Sequence, residues 1–289
     1  MLNVYETIRS GLHYNKFEVG DLLFVEYACP IEEDKLDVWT PCDYMLHVLT
    51  GKKGWRTSNH HWTAKAGETF YVKKGAFTIE QFFEEEFCML LFFITDDFIR
   101  DSIKQLSARP ATPLKHLADN SPVIEVNNDI TLNAYFQSML SYFSKREKPS
   151  DELLILKLRE LLLNVLQTQA NPQLASYFYS LQNDSRPSLK GIMQDNFLFN
   201  LSIEEYASMC GRSISSFKRE FKKLFRMSPG SWLRKRRLEY ATSLLASSDL
   251  NISEICLQCG FENPAHFSRI FKEELNITPS AYRKQLYQS

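Results

Sequence analysis

At 289 residues the chain is long enough for two domains, each able to bury its own core. A content of 44% hydrophobic and 24% charged residues, with a formal net charge of −1, indicates an ordinary globular protein rather than a disordered or fibrous one. No apolar run reaches the roughly 18 residues of a membrane span. The first twenty residues lack a signal-peptide pattern, and the six cysteines suggest no disulfide framework, so we expect a cytoplasmic protein with no membrane partner.

The charge is unevenly distributed along the chain. From Ser185 to the end there are 16 of the 34 basic and 10 of the 35 acidic residues, a net charge of +6. The preceding part holds 18 basic and 25 acidic residues, a net charge of −7. A basic region beside an acidic one favours a polyanionic partner for the basic region, although many solvated helices are also basic.

The first hundred residues predict β structure. Runs rich in β-branched and aromatic residues, separated by glycine-containing turns, occur at Asp21–Tyr27, Asp43–Thr50, Thr69–Val72, Phe77–Phe83 and Phe87–Ile94. Short strands at this spacing predict an antiparallel barrel or jelly roll. Several aromatic residues and one histidine at strand spacing either line a ligand pocket or fill the core: Phe17, Phe24, Tyr44, His47, Trp55, Trp62, Phe70, Phe82 and Phe92.

After Thr95 the apolar period changes to 3.6, which predicts helices over Asp96–Leu106 and Ile130–Phe143. Glu152–Leu166 is the most apolar helical stretch, and its leucines cover more than one face. This helix therefore either packs on its own barrel or forms a dimer interface. Thr168–Arg186, with Pro172 and then Asn183-Asp184-Ser185, predicts a linker.

The C-terminal part repeats itself. At an offset of 49 residues, one set of positions recurs: Leu201, Ile203, Glu205, Ala207, Cys210 and Gly211 correspond to Leu250, Ile252, Glu254, Cys256, Cys259 and Gly260. At an offset of 50, a second set follows: Phe217, Arg219, Phe221, Lys222, Ser228, Pro229 and Trp232 correspond to Phe267, Arg269, Phe271, Lys272, Thr278, Pro279 and Tyr282. A supersecondary unit used twice explains this pattern.

Each repeat predicts a helix-turn-helix unit. Ser202–Met209 and Ser253–Gln258 are the first helices, and a glycine follows each for the tight turn. Ser213 caps the second helix of the first unit, and Asn263 caps that of the second unit with Pro264 at its first position.

The second helix of each unit has one apolar and one basic face. At about 100° per residue, Phe221 lies beside Phe217 and Phe271 beside Phe267. Small and basic side chains share the opposite faces: Ser215, Lys218, Arg219 and Lys222 in the first, and Ala265, Ser268, Arg269 and Lys272 in the second. Such a face suits entry into a DNA major groove, because small residues allow close approach and Arg can bond guanine.

A long helix is predicted between the units, from Pro229 to Leu245. It would fix the spacing of the two recognition helices, because adjacent major-groove segments lie about 34 Å apart. Its run Arg234–Arg237 either contacts phosphates or is a solvated face.

These residues resemble a known family. Ser202–Tyr282, containing SIEEYASMCGRSISSFKREFKK and HFSRIFKEELNITPSAYRK, is similar to the DNA-binding domain of AraC/XylS transcription regulators. By this resemblance, residues of both second helices read bases. Including their neighbours, the predicted DNA-binding set is Ser215, Ser216, Lys218, Arg219, Lys222, Ala265, His266, Ser268, Arg269 and Lys272. Arg226 and Asn276 stand where the family usually has glycine in a left-handed turn, and Cys256 replaces a usual alanine.

The resemblance implies an α+β protein with three regions. Residues 1–95 would form a cupin-like antiparallel β-barrel sensor, residues 96–183 a helical dimerisation or linker region, and residues 184–289 an all-α DNA-binding domain. AKAGETFYVKKGAF resembles the sensor barrels of the family, and the arrangement resembles the branch of type III secretion master activators. The implied partners are double-stranded promoter DNA, RNA polymerase, a second copy of the chain, and a small-molecule or protein effector.

The alternative is a cupin-type enzyme with an attached DNA-binding module. Cupin enzymes hold a metal with a His-x-His pair, whereas Asn59-His60-His61-Trp62 places adjacent histidines on opposite faces of a strand. Phe77 stands where sensor barrels often carry histidine, and Cys256-x-x-Cys259 lies within a helix without further ligands. We therefore expect no metal, no cofactor and no catalytic residues.

Overall fold

A computed structural model describes residues 1–28, 33–57, 60–83, 86–105, 121–145, 147–182 and 187–286. The chain folds into two compact units, Leu2–Arg186 and Pro187–Ser289. In the described part of the chain, no helix combines the length and apolar character needed to cross a membrane. Leu106, the last residue of the predicted helix Asp96–Leu106, and the predicted boundary at Asn183-Asp184-Ser185 lie outside the described residues.

The N-terminal unit has eleven described strands in two sheets. In chain order they are β1 (Leu2–Asn3), β2 (Asn15–Val19), β3 (Leu22–Ala28), β4 (Lys35–Thr40), β5 (Asp43–Thr50), β6 (Lys52–Arg56), β7 (His61–Lys65), β8 (Thr69–Val72), β9 (Gly75–Gln81), β10 (Cys88–Ile94) and β11 (Val123–Val126). Sheet A has the order β1-β4-β9-β6-β7, and sheet B has the order β11-β8-β5-β10-β3-β2. Neighbouring strands are antiparallel except for β1 and β4.

Five helices accompany these strands in the described part of this unit. They are α1 (Val4–Ser10), α2 (Asp96–Lys104), α3 (Ile130–Phe143), α4 (Asp151–Gln167) and α5 (Pro172–Ser180). Side chains cap four of them at the N-terminus: Asn3 caps α1, Thr95 caps α2, Asp129 caps α3 and Ser150 caps α4.

The two faces of sheet B have different partners. In β10, Leu91 and Phe93 pack with residues of sheet A, whereas Leu90 and Phe92 pack in a second core with α2 to α5. Because both faces of the central strand are covered, its sequence CMLLFFI is apolar without alternation. The unit therefore has three layers, in which sheet A, sheet B and the helices follow one another.

The predicted α+β architecture is confirmed, with one difference in the β layer. Among the described residues, the strands form two sheets packed face to face instead of a closed barrel. The predicted strands at Asp43–Thr50 and Thr69–Val72 have the predicted bounds, and the other three differ by one or two residues. The missed strands are two to six residues long. KKGWR in β6 contains one large apolar residue, Trp55.

The leucines of α4 belong to the core of their own unit. Leu154, Leu158, Leu161, Leu162 and Val165 are buried among the residues between sheet B and the helices. Packing on the unit's own β structure accounts for this face of the helix. Leu156 lies outside this core, with 59% of its surface exposed.

The prediction of a linker from Thr168 onward was wrong for its first part. Pro172 is the first residue of α5, where its missing N–H costs nothing, and Phe178 of this helix is fully buried. The proline was a helix start rather than a breaker.

A buried carboxylate ties α5 to sheet B. Asp43 of β5 is fully buried and accepts hydrogen bonds from the hydroxyls of Tyr71 at 2.9 Å and Tyr177 at 2.6 Å. The backbone N–H of Lys74 donates to it at 2.8 Å, and the Lys74 ammonium pairs with Asp96 at the start of α2. Burial, followed by the nearby Asp43 charge, raises the pKa of Tyr177 well above its usual value, so this hydroxyl stays a donor.

The C-terminal unit contains seven helices within its described residues. They are α6 (Leu189–Asn196), α7 (Ile203–Met209), α8 (Ile214–Phe225), α9 (Pro229–Ser247), α10 (Ile252–Gln258), α11 (Pro264–Leu275) and α12 (Pro279–Leu286). The predicted all-α character of this part is confirmed, and α9 is the long helix predicted between the two helix-turn-helix units.

Replacing Tyr177 by Phe removes one donor to the buried Asp43 carboxylate. We expect a loss of about 1.5–3 kcal/mol in the free energy of unfolding, the usual contribution of a hydrogen bond to a charged group. Urea unfolding of the full chain measures this loss. Tyr179→Phe is the control on the same helix, because no hydrogen bond of that hydroxyl exists among the described residues. Equal losses in both variants would contradict the structure of this cluster.

Candidate nucleic-acid interface

The first helix-turn-helix unit consists of α7 and α8. Ser202 and Glu205 form a reciprocal capping box at the start of α7, in which each side chain accepts from the other residue's backbone N–H. Gly211 then adopts a left-handed conformation (φ +60°) in the turn, and Ser213 caps α8. The turn brings α8 back across α7 as a separate helix.

The second unit, α10 and α11, is built in the same way. Asn251 and Glu254 form the capping box of α10, Gly260 has φ +76°, and Asn263 caps α11 with Pro264 at its first position. The predicted caps Ser213 and Asn263 are confirmed. The capping boxes were missed, although Ser202-x-x-Glu205 and Asn251-x-x-Glu254 are visible in the sequence as part of the repeat.

Two phenylalanines hold each second helix to its unit. Phe217, Phe221, Phe267 and Phe271 are fully buried, as predicted. The ring of Phe221 lies 6.0 Å from that of Trp232 at the start of α9, and the repeat partners Phe271 and Tyr282 are 5.7 Å apart. The basic faces of α8 and α11 are consequently turned towards solvent.

Most residues of the predicted DNA-binding set are exposed. In α8, Ser215, Lys218, Arg219 and Lys222 are exposed and Ser216 is half-buried; in α11, Ala265, His266, Arg269 and Lys272 are exposed and Ser268 is half-buried. The structure therefore groups them on one side of each helix. Their contact with DNA stays a prediction.

A polar chain covers one side of α8. Arg212 in the turn donates through Nε to Glu220 at 2.8 Å and through Nη1 to the carbonyl of Pro187 at 2.9 Å. The other Glu220 oxygen accepts from the Ser216 hydroxyl at 2.9 Å. In the second repeat, the position of Glu220 is taken by the buried Ile270. Glu220 is thus an ion-paired carboxylate at a position that is apolar in the second repeat. The Ser216 hydroxyl is bonded to this carboxylate within α8.

The two candidate guanine-binding arginines differ in their neighbours. Arg269 pairs with Glu273 one turn along α11, at 2.8 Å, and both side chains are more than half exposed. Among the described residues, Arg219 has no carboxylate partner, and its hydrogen bond to Ser216 is long, at 3.5 Å. Arg219 is therefore the readier of the two to bond a new partner.

The basic run of α9 has mixed surroundings. Arg234 and Lys235 are exposed, and Arg236 pairs with Glu239 while lying over the ring of Phe197. Arg237 instead points inward and is bonded to backbone carbonyls. The sequence analysis offered two alternatives for this run, a phosphate contact or a solvated face. Arg237 fits neither of them.

Two family models match the chain. The ExsA N-terminal regulatory domain matches residues 43–177, and a helix-turn-helix domain matches residues 206–285. The virulence regulon transcriptional activator VirF of Yersinia enterocolitica is 23% identical, over 91% of this chain and 96% of that protein. The HTH-type transcriptional regulator ExsA of Pseudomonas aeruginosa is 29% identical, over 46% of this chain and 48% of that protein.

The chain thus carries an ExsA-type N-terminal regulatory domain followed by an AraC-type helix-turn-helix domain, in line with its resemblance to AraC/XylS regulators. It is a DNA-binding regulator and not the cupin-type enzyme of the alternative hypothesis. Among solved structures, apo ToxT from Vibrio cholerae matches with a TM-score of 0.44 and 16% identity, covering 92% of this chain and 97% of that one.

Two helix ends depart from the glycine usual in AraC/XylS proteins. Arg226 after α8 and Asn276 after α11 both adopt the left-handed conformation, with φ of 59° and 58°. Their N–H groups donate to the carbonyls of Lys222 and Lys272, which ends each helix. Asparagine tolerates this conformation, whereas arginine is strained by its Cβ.

The cysteines of the AraC/XylS domain are core residues. Cys256 and Cys259 are fully buried with Phe261 and Phe267. Burial raises the pKa of Cys259 to about 12, so it is a thiol at neutral pH.

No group of three or more His, Cys, Asp or Glu side chains within the described ranges is arranged to hold a metal ion. His61 pairs with Glu80 at 2.9 Å, and Asn59 lies outside the described residues.

Replacing Arg226 by Gly should stabilise this AraC/XylS domain. Glycine relieves a left-handed strain of about 1–2 kcal/mol but gives the unfolded chain more freedom, so we expect a net gain of about 0.5–1 kcal/mol in the free energy of unfolding. Thermal unfolding measures it, with Asn276→Gly as the matched control that should be nearly neutral. Arg226→Ala removes the same charge without the glycine freedom and should give no gain. A gain from the alanine variant equal to that from glycine would show that charge, not backbone strain, is responsible.

Replacing Glu273 by Gln should free Arg269 for DNA. The exposed pair is worth about 0.2–1 kcal/mol, so its release should raise DNA affinity by up to about fivefold. Asp249→Asn is the control, since it removes one exposed carboxylate of the same unit that pairs with no basic side chain among the described residues. Fluorescence anisotropy on one duplex compares the two. If both variants gain equally, the effect is general repulsion and the Arg269–Glu273 pair does not limit binding.

Proposed function

We propose that this regulator reads an operator with two adjacent major-groove segments, using α8 for one and α11 for the other. The observation that carries this is the repeated unit, in which two buried phenylalanines turn a face of small and basic side chains outward. We assign base contacts to Ser215, Lys218 and Arg219, and to Ala265, His266, Ser268 and Arg269. Ser216, Lys222 and Lys272 would support these or contact phosphates.

We propose further that the protein activates transcription together with RNA polymerase in the cytoplasm. Support comes from VirF, which is named a transcriptional activator and aligns with nearly the whole chain. A homodimer fits the exposed Leu156 on the outer side of α4. We keep the three regions 1–95, 96–183 and 184–289 as sensor, helical dimerisation or linker region, and DNA-binding domain.

A small apolar cavity lies between the sheets of the N-terminal unit. Its volume is about 30 Å³, and it is lined mainly by apolar and aromatic side chains, among them Tyr44, Trp55 and Met89. Lys53 contributes its ammonium beside the rings of Tyr27 and Phe87, at 4.8 and 4.9 Å. We propose that an effector controls DNA binding or activation, either a protein bound to this unit or a small molecule that must push the sheets apart to enter this cavity.

DNA reading by α8 is tested on a duplex selected from a random library. Arg219→Ala should cost about 1–3 kcal/mol of binding free energy on the selected site and relax the preference at one base pair. Lys190→Ala removes an exposed charge of the same unit outside the recognition helices, and should cost less than about 0.5 kcal/mol.

Affinity is measured over a series of salt concentrations, because phosphate contacts make log K fall linearly with log[salt]. Binding that is absent at low salt, or indifferent to salt, would refute the proposed function. Equal losses from Arg219→Ala and Lys190→Ala would refute the assignment of Arg219.

A further inference from the structure

The guanidinium of Arg237 lies at a junction within the C-terminal unit. From α9 it donates through Nε to the carbonyl of Phe197 and through Nη2 to that of Phe199, both at 2.7 Å. Its Nη1 donates to the carbonyl of Gly260, in the turn of the second helix-turn-helix unit, at 2.9 Å. One side chain thus bonds the segment that leads into the first unit and the turn of the second.

The first unit is joined to the same place through α7. Tyr206, fully buried in α7, donates its hydroxyl to the carbonyl of Asn196 at 2.7 Å and also interacts with the Arg237 guanidinium. Burial lowers the pKa of Arg237, although a guanidinium keeps its proton throughout the physiological range. Among the described residues, Arg237 forms no ion pair with a carboxylate, so its bonds to carbonyls serve geometry and not charge neutralisation.

Gly260 closes the junction from the other side. A Cβ at this position would overlap the carbonyl oxygen of Leu198, and φ is +76°. The segment between Phe197 and Phe199 is therefore held between the Arg237 fork and the Gly260 turn. No other residue type fits there without moving that backbone.

This junction is a second connection between the two helix-turn-helix units. The first is α9 itself: its start packs on α8 through Trp232, with ring distances of 6.0 Å to Phe221 and 5.1 Å to Phe225. Its later part, including Leu238 and Leu245, packs with α10 and α11. If α9 were the only connection, few contacts would oppose rotation of one helix-turn-helix unit relative to the other about the α9 axis. The hydrogen bonds of the Arg237 guanidinium lie away from this axis and resist such rotation.

We propose that Arg237 is a positioning residue that fixes the separation and relative rotation of α8 and α11, and therefore the operator spacing that the protein accepts. The inference rests on the proposed reading of DNA by both helices. Lysine cannot replace this arginine, because an ammonium lacks the planar fork that reaches three carbonyls at once. Arg236, its half-buried neighbour in α9, pairs with Glu239 and provides a matched control.

The first test uses the unaltered full-length protein. Its selected operator is compared with duplexes in which one or two base pairs are inserted or deleted between the two half-sites, and with each half-site alone. One base pair shifts the second half-site by about 3.4 Å and turns it by about a tenth of a helical turn. We expect at least about a tenfold loss of affinity for one base pair, equivalent to roughly 1.4 kcal/mol. Equal affinity for all spacings would overturn the inference whether or not any variant folds.

The second test compares Arg237→Lys with Arg236→Lys on the same duplexes. For Arg237→Lys we expect the spacing preference to shrink to about threefold or less, with half-site affinity within about twofold of wild type. Arg236→Lys should keep the wild-type preference. An Arg237→Lys variant that keeps the full spacing preference would overturn the inference. The inference would also fail if Arg237→Lys lowered the affinity for a half-site as much as the affinity for the whole operator. If the wild-type protein binds no half-site and no operator, the proposed function itself fails, which separates the two outcomes.

Discussion

The regulator depends on the burial of two phenylalanines, four residues apart, in each recognition helix. Phe217 and Phe221 in α8, and Phe267 and Phe271 in α11, are fully removed from solvent. Each such side chain contributes roughly 1.5–3 kcal/mol on burial, far more than any exposed charge pair on these helices. Because these rings set how each helix is rotated, the direction of every basic side chain follows from them.

Two charged side chains, the fully buried Asp43 and the half-buried Arg237, join elements at defined positions through directed hydrogen bonds. Asp43 in the N-terminal unit accepts bonds from residues of sheet B and α5, and Arg237 in the C-terminal unit donates to carbonyls on either side of it. Each makes three hydrogen bonds to groups of neighbouring elements, and such bonds offset the cost of removing a charge from water. Both also impose direction, since a displaced partner loses a hydrogen bond to a charged group.

Sequence reasoning succeeded where the pattern was periodic or repeated. The 49- and 50-residue offsets located both helix-turn-helix units, the caps Ser213 and Asn263, and the buried Phe217 and Phe267. The left-handed residue Arg226 was recognised only through the family resemblance, at the position where glycine is usual.

Sequence reasoning failed where tertiary contacts decide. Pro172 was taken as part of a linker, because the packing of Phe178 that holds α5 has no local signal. β6 was missed because its partners in sheet A, and not its own residues, make it a strand. Nothing in the run Arg234–Arg237 distinguishes the inward Arg237 from its neighbours, since that depends on carbonyls about forty residues earlier and on Gly260.

The most direct measurement is protection of guanine N7 from methylation, which reports occupancy of the major groove at single-base resolution. With the full-length protein on its selected duplex, two protected clusters should appear about one helical turn apart, and Arg219→Ala should weaken protection in one and leave the other unchanged. A single cluster, or two clusters that Arg219→Ala weakens equally, would contradict the reading of adjacent groove segments by α8 and α11.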